Sequence, residues 1–76
     1  MAKLPVVSGA DVIRVLRKLG YDVDQQRGSH IVLRRTHPPH HRLSVPNHKE
    51  LRVGTLRGLI RDAGLTVEEF AALLRD

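Results

Sequence analysis

With 76 residues, the chain is sized for one domain, residues 1–76, and its lack of cysteine excludes disulfides, thiolate metal sites and a cysteine nucleophile. Thirteen Lys and Arg against eight Asp and Glu give a formal charge of +5, which suits a polyanionic partner such as nucleic acid, or an acidic protein. No apolar run is long enough to span a bilayer and Met1-Ala2-Lys3-Leu4-Pro5 lacks a signal-peptide apolar segment, so the expected location is cytoplasmic.

Ser8-Gly9-Ala10-Asp11 reads as a helix start, with Ser8 as N-cap, Asp11 in the capping-box position, and Val7 with Val12 as a hydrophobic staple. Val12, Val15, Leu16 and Leu19 follow the helical period, with Arg14, Arg17 and Lys18 on the other side. Gly20 stops this helix, expected over about 9–19. Lys18 is expected to complement the negative end of the helix's own dipole.

From Tyr21 the period changes to two. Tyr21 and Val23 alternate with Asp22 and Asp24 before a turn at Gly28. In the next strand Ile31 and Leu33 share one face, while His30, Val32 and Arg34 share the other. Placing Tyr21 and Val23 on the buried face favours a three-residue loop, Arg27-Gly28-Ser29. That register sets Val23 opposite Leu33, Gln26 opposite His30 and Asp22 opposite Arg34. His30 then faces away from the core.

Thr36-His37-Pro38-Pro39-His40-His41 reads as a turn made rigid by proline. Arg42-Leu43-Ser44-Val45 is a short third strand with Leu43 and Val45 inward, and Pro46 to Leu51 is a polar connection. A second helix begins near Val53, carries Leu56, Leu59, Ile60 and Ala63, and stops at Gly64. Thr66-Val67-Glu68-Glu69 is a second capping box, with Leu65 and Phe70 as its staple, opening a helix with Phe70, Leu73 and Leu74 inward. The order α-β-β-β-α-α predicts an α+β domain, helices on one face of a three-stranded antiparallel sheet.

Four stretches resemble the HicA family of small RNA-cleaving toxins, whose fold is similar to the double-stranded RNA-binding domain. They are Leu16-Arg17-Lys18-Leu19-Gly20-Tyr21, Arg27-Gly28-Ser29-His30, Val45-Pro46-Asn47-His48 and Gly54-Thr55-Leu56-Arg57-Gly58-Leu59-Ile60-Arg61. The resemblance implies that His30 is the catalytic residue and that a HicB-type antitoxin covers the active face. The histidine-proline turn does not map onto the family pattern and receives no role from it.

The residues support such chemistry independently. Histidine is the side chain whose unperturbed pKa, about 6.5, lets it exchange a proton near neutrality. RNA supplies its own nucleophile, the ribose 2′-hydroxyl, so the protein needs only a base, an acid and positive charge on the phosphorane-like transition state. One imidazole cannot be both base and acid in one step, and the second group is not identified. Arg27 and Arg34 are the candidates for phosphate, because a planar guanidinium matches phosphate oxygens two at a time; Ser29 and the Gly28 backbone could add hydrogen bonds. A solvated surface charge is the alternative for each arginine.

His37, His40, His41 and His48 do not form a zinc pattern, since convergent ligands are required. Asp22 and Asp24 read as solvent-facing partners of Arg34 rather than as a magnesium pair. The two aromatics, Tyr21 and Phe70, read as core, which disfavours base stacking. The expectation is a metal-independent endoribonuclease toxin without a cofactor, acting on mRNA and held by an acidic antitoxin. A non-catalytic double-stranded RNA-binding module and a pure interaction protein are the alternatives. Target sequence preference and oligomeric state are not legible.

Overall fold

Ser8 starts the first helix by the chemistry its spacing announces: its hydroxyl accepts from the Asp11 amide at 3.1 Å, and the Asp11 carboxylate accepts from the Ser8 amide at 3.0 Å. These reciprocal bonds fix the start of α1, Gly9–Lys18. Val7 and Val12 are both buried beside the cap, as a staple requires. The computed structural model describes residues 4–76, so the leader-free reading of Met1-Ala2-Lys3 lies outside the described residues.

Strands β1 (Tyr21–Arg27), β2 (His30–Arg35) and β3 (Arg42–Pro46) pair in that order as an antiparallel sheet. Helix α2, Val53–Asp62, has no side-chain cap at its start. Its end is closed by Gly64 N–H donating to the Arg61 carbonyl and Leu65 N–H to the Ile60 carbonyl. The reciprocal bonds of Thr66 and Glu69 open α3, Val67–Arg75. The expected order α-β-β-β-α-α is the one observed, a small α+β domain with a double-stranded RNA-binding-domain-like arrangement.

Alternation divides the sheet. Tyr21, Leu33, Leu43 and Val45 join Val12, Val15, Leu16, Leu56, Leu59, Ile60 and Phe70 in one buried cluster. The helices therefore lie to one side of the sheet, α1 and α2 against the strands and α3 against α1 and α2, and the face carrying His30, Arg34, Arg42 and Ser44 stays exposed. Leu51 is also buried, inside a connection whose composition reads as polar.

Four local expectations change. Val23 does pair with Leu33, but it is 50% exposed rather than buried, because β1 is an edge strand and the helical cover ends near Tyr21. The hairpin loop is two residues, Gly28-Ser29, not three, and the missing residue appears as a bulge between Val23 and Gln25. Gln26 consequently pairs with Ile31, and Arg27, not Gln26, stands opposite His30. Finally, Lys18 stands in the last turn of α1 as expected, but its hydrogen bonds go to another helix. Its Nζ donates to the carbonyls of Leu73 at 2.7 Å and Asp76 at 2.6 Å, and Arg14 donates to Leu74 O at 3.2 Å. The last carbonyls of a helix lack intrahelical partners, so these cations cap α3 from α1.

Gly9 sits where α1 meets the end of β3. A Cβ there would overlap the Pro46 carbonyl oxygen and lie 3.2 Å from Asn47 Cα. Gly9→Ala should therefore lower the melting temperature, although alanine is the better helix former by about 1 kcal/mol. Gly54→Ala has open space around it and should be neutral or stabilising by about 0.5 kcal/mol. Thermal unfolding of the two variants separates close approach from propensity. If Gly9→Ala unfolds at the native temperature, the contact with Pro46 is not limiting.

Asp11 tests the cap through pH. The Ser8 backbone N–H holds its carboxyl below the ordinary 3.8; the Ser8 hydroxyl and Arg14 add to this, and partial desolvation opposes it. A carboxyl lowered on folding contributes stability that is full above its unfolded value and disappears as pH falls through its folded value. Asp11→Asn should thus be less stable than the native chain at pH 7, with the difference closing in acid. A gap that is constant down to pH 2 would rule out the ionised cap.

Candidate active site

The turn that presents His30 is held from both sides. Gly28 has φ +58°, and no atom lies within 4 Å of where a Cβ would stand. It occupies the first central position of the turn, where a type II′ hairpin takes glycine. Gln26 Nε2 donates to Gly28 O at 3.2 Å, and Asn47 N–H donates to Ser29 O at 2.6 Å. Beyond Asn47, His48 O accepts from Gly9 N–H at 2.8 Å. The Val45-Pro46-Asn47-His48 stretch thus ties the turn to the capped start of α1.

His30 opens β2 between Arg27 of β1 and Pro46 of β3, and it is exposed on the face away from Leu33 and the core. The bulge is what brings Arg27 there. An unbroken alternation from Val23 would send Arg27 to the helix side; one extra residue reverses the parity and turns it onto the face of His30. A guanidinium and an imidazole then flank a two-residue turn whose tip is open to solvent.

Arg34 shares this face, four residues further along β2, or about 13 Å at the strand's rise. Its cross-strand neighbours are Asp22 and Arg42. The expected ion pairing of both aspartates with Arg34 is not what forms. Arg42 Nη1 lies 3.1 Å from Asp24 Oδ2, while Asp22 and Arg34 are opposite in register without an ion pair among the described residues. The bulge explains the exchange, since Asp24 is the residue displaced from the ladder and free to reach across the sheet.

Arg34 and Arg42, with His40 and His41, line an open depression of about 450 Å³. Tyr21 is 3% exposed, and its hydroxyl meets His41 Nδ1 at 2.9 Å, the rings standing edge to face with centroids 6.3 Å apart. Burial pushes the Tyr21 phenol above its ordinary 10.0, with nearby Arg35 opposing, so the hydroxyl keeps its proton. His40 Nδ1 lies 3.4 Å from Arg35 O, and Arg35 N–H donates to His41 O at 2.9 Å. Among the described residues no three of His, Cys, Asp and Glu gather as a metal-binding group.

Arg27, Gly28, Ser29 and His30 are therefore together at one end of the open face, and Arg34 stands apart toward the other. Arg42, His40 and His41 carry no role in the sequence reading. The alternation of Leu43 and Val45 already puts Arg42 on the outer face, but only strand pairing sets it beside Arg34.

Among the described residues, no helix is long and apolar enough to cross a membrane. A search of curated proteins returns no match. A family model, the HicA toxin of bacterial toxin–antitoxin systems, matches residues 9–65, from the first residue of α1 to the residue after α2's closing glycine. This span is well over half of the chain and contains all three strands and the turn that carries His30. The chain belongs to the HicA toxin family.

Proposed function

We propose that this toxin is a metal-independent endoribonuclease that cuts mRNA by proton transfer at His30. The observation that carries the reading is the exposed imidazole set directly across from Arg27 on the uncovered face of a basic domain. In the proposed step the ribose 2′-oxygen forms a bond to the adjacent phosphorus as the bond to the 5′-oxygen breaks. His30 takes the 2′-hydroxyl proton or gives a proton to the leaving 5′-oxygen, and water fills the other role. Arg27 meets the charge that grows on the non-bridging oxygens, where a donor is worth most in the transition state. The Gly28 and Ser29 segment offers hydrogen bonds beside it, and Arg34 holds a phosphate further along the strand.

Membership of a toxin–antitoxin family implies an antitoxin partner. We assign to it an acidic HicB-type protein that covers His30 and the flanking arginines, because a carboxylate-rich surface would occupy the same guanidinium groups as RNA phosphate. An mRNA substrate and such a partner are both met in the cytoplasm, which is where this reading has the protein act. A double-stranded RNA-binding module without catalysis is the second reading, favoured by the fold alone.

His30→Ala should lower cleavage by about 10²- to 10⁴-fold, the usual worth of a general acid or base, with little change in melting temperature. His30→Gln, polar but unable to shuttle a proton, should be equally inactive. RNA with a 2′-deoxy sugar at the scissile position should bind and survive, and EDTA should leave the native rate unchanged. Retained cleavage in His30→Ala, or cutting of all-deoxy strands, would falsify this mechanism; RNA binding with no cutting by the native chain favours the binding module.

Salt dependence tests Arg34 separately. Log affinity for single-stranded RNA falls with log salt by about 0.7 per phosphate neutralised. Arg34→Gln should flatten the slope by about that amount without changing sequence preference. An unchanged slope returns Arg34 to the status of a solvated charge.

A further inference from the structure

The histidine-proline turn and the first residue of β3 form a feature that the cleavage reading leaves unused. His40, His41, Arg34 and Arg42 border one open depression, about four strand residues from His30. We propose that this depression is a second phosphate subsite, which binds a backbone phosphate of the same RNA strand a few nucleotides from the cleaved bond. The proposal rests on the RNA-cleaving reading above and extends it to residues outside the His30 turn.

Three observations carry it. First, two guanidinium groups stand side by side, since Arg34 and Arg42 are directly paired across β2 and β3 on the uncovered face. Like charges opposite one another repel; among the described residues Asp24 forms an ion pair with Arg42, and Asp22 stands opposite Arg34 without one. Arg34 is thus left with no ion-pair partner among the described residues beside a half-exposed Arg42, and a phosphate diester can accept from both guanidinium groups.

Second, His41 is held in place at the edge of the depression. The buried Tyr21 hydroxyl lies 2.9 Å from His41 Nδ1, so one ring nitrogen is engaged by the core and the other is not. An exposed ring locked to the core in one orientation costs less entropy to use than a free surface side chain.

Third, the geometry suits a strand rather than a small ion. A subsite about 13 Å from His30 along β2 is too far for the scissile phosphate and within reach of a later one in an extended chain. The residues between them on the outer face of β2 include Val32, half-buried and apolar, which gives no anchor of its own. Charge at both ends with a neutral centre is the pattern that tracks a backbone.

The test uses the full chain with His30→Ala, so that RNA binds without being cut, and 5′-labelled single-stranded RNA of two and of eight nucleotides. Arg42→Gln should weaken the eight-mer by about tenfold, flatten its salt slope by about 0.7, and leave the dinucleotide unchanged. Asp24→Asn should do the reverse and tighten the eight-mer, because it removes the competing carboxylate; loss of the ion pair as a merely structural contact would not strengthen binding. In the cleaving chain, Arg42→Gln should raise KM for the long substrate with kcat preserved, and His41→Gln should do the same. Arg42 is exposed at a strand end, and an unchanged melting temperature checks that the variant is folded.

An equal loss of affinity for both lengths in Arg42→Gln, or no loss for the eight-mer, would overturn the subsite while leaving the His30 reading intact. So would a loss confined to binding of the acidic antitoxin, which would make the depression a protein contact. Cleavage that survives His30→Ala, with the length effect of Arg42→Gln retained, would remove the catalytic reading and keep the subsite. No binding of either RNA by the native chain would end both.

Discussion

One extra residue in β1 governs what the open face of this protein presents. A two-residue glycine turn closes the hairpin tightly, and with unbroken pairing it would set apolar Val23 on the wrong side of the sheet. The bulge at Asp24 absorbs the mismatch: Val23 stays opposite Leu33 and Arg27 arrives opposite His30. Because side chains alternate with a period of two, a single insertion exchanges the two faces for every residue beyond it. The same displacement frees Asp24 to meet Arg42. Both the imidazole–guanidinium pair and the charge balance at the far end of the face depend on that one irregularity.

The face is held still by bonds that come from the other layer. Asn47 grips the turn through the Ser29 carbonyl, and the next residue, His48, accepts from the amide of Gly9. Gly9 has no side chain because the Pro46 carbonyl occupies the space. The reciprocal cap of Ser8 and Asp11 orders the same corner. A small domain has limited core to hold a loop by packing alone, so backbone bonds across the layers replace it here.

The distribution of positive charge follows from where those layers lie. Arg14 and Lys18 point toward α3 and satisfy its terminal carbonyls, so part of the chain's excess of cations is structural. Arg27, Arg34 and Arg42 lie on the uncovered face, where no helix competes for them. Net charge alone does not separate these two groups. The division is between cations that meet unpaired carbonyl dipoles and cations that meet solvent.

Much of the architecture was legible because it is local. Capping boxes at Ser8 and Thr66, glycines at 20 and 64 and the change of period at Tyr21 depend on neighbours within four residues, and each element formed where they indicate. The exposure of His30 was legible too, since alternation opposite Ile31 and Leu33 requires it. The partner of His30 was not, because a bulge and a shorter loop satisfy the same apolar pattern as a longer loop without one. Nor were the roles of Lys18, Asp24 and His41, whose partners lie 55, 18 and 20 residues away in the chain. Periodicity says which face a side chain takes; only the folded registration of strand on strand and helix on helix decides what it meets there.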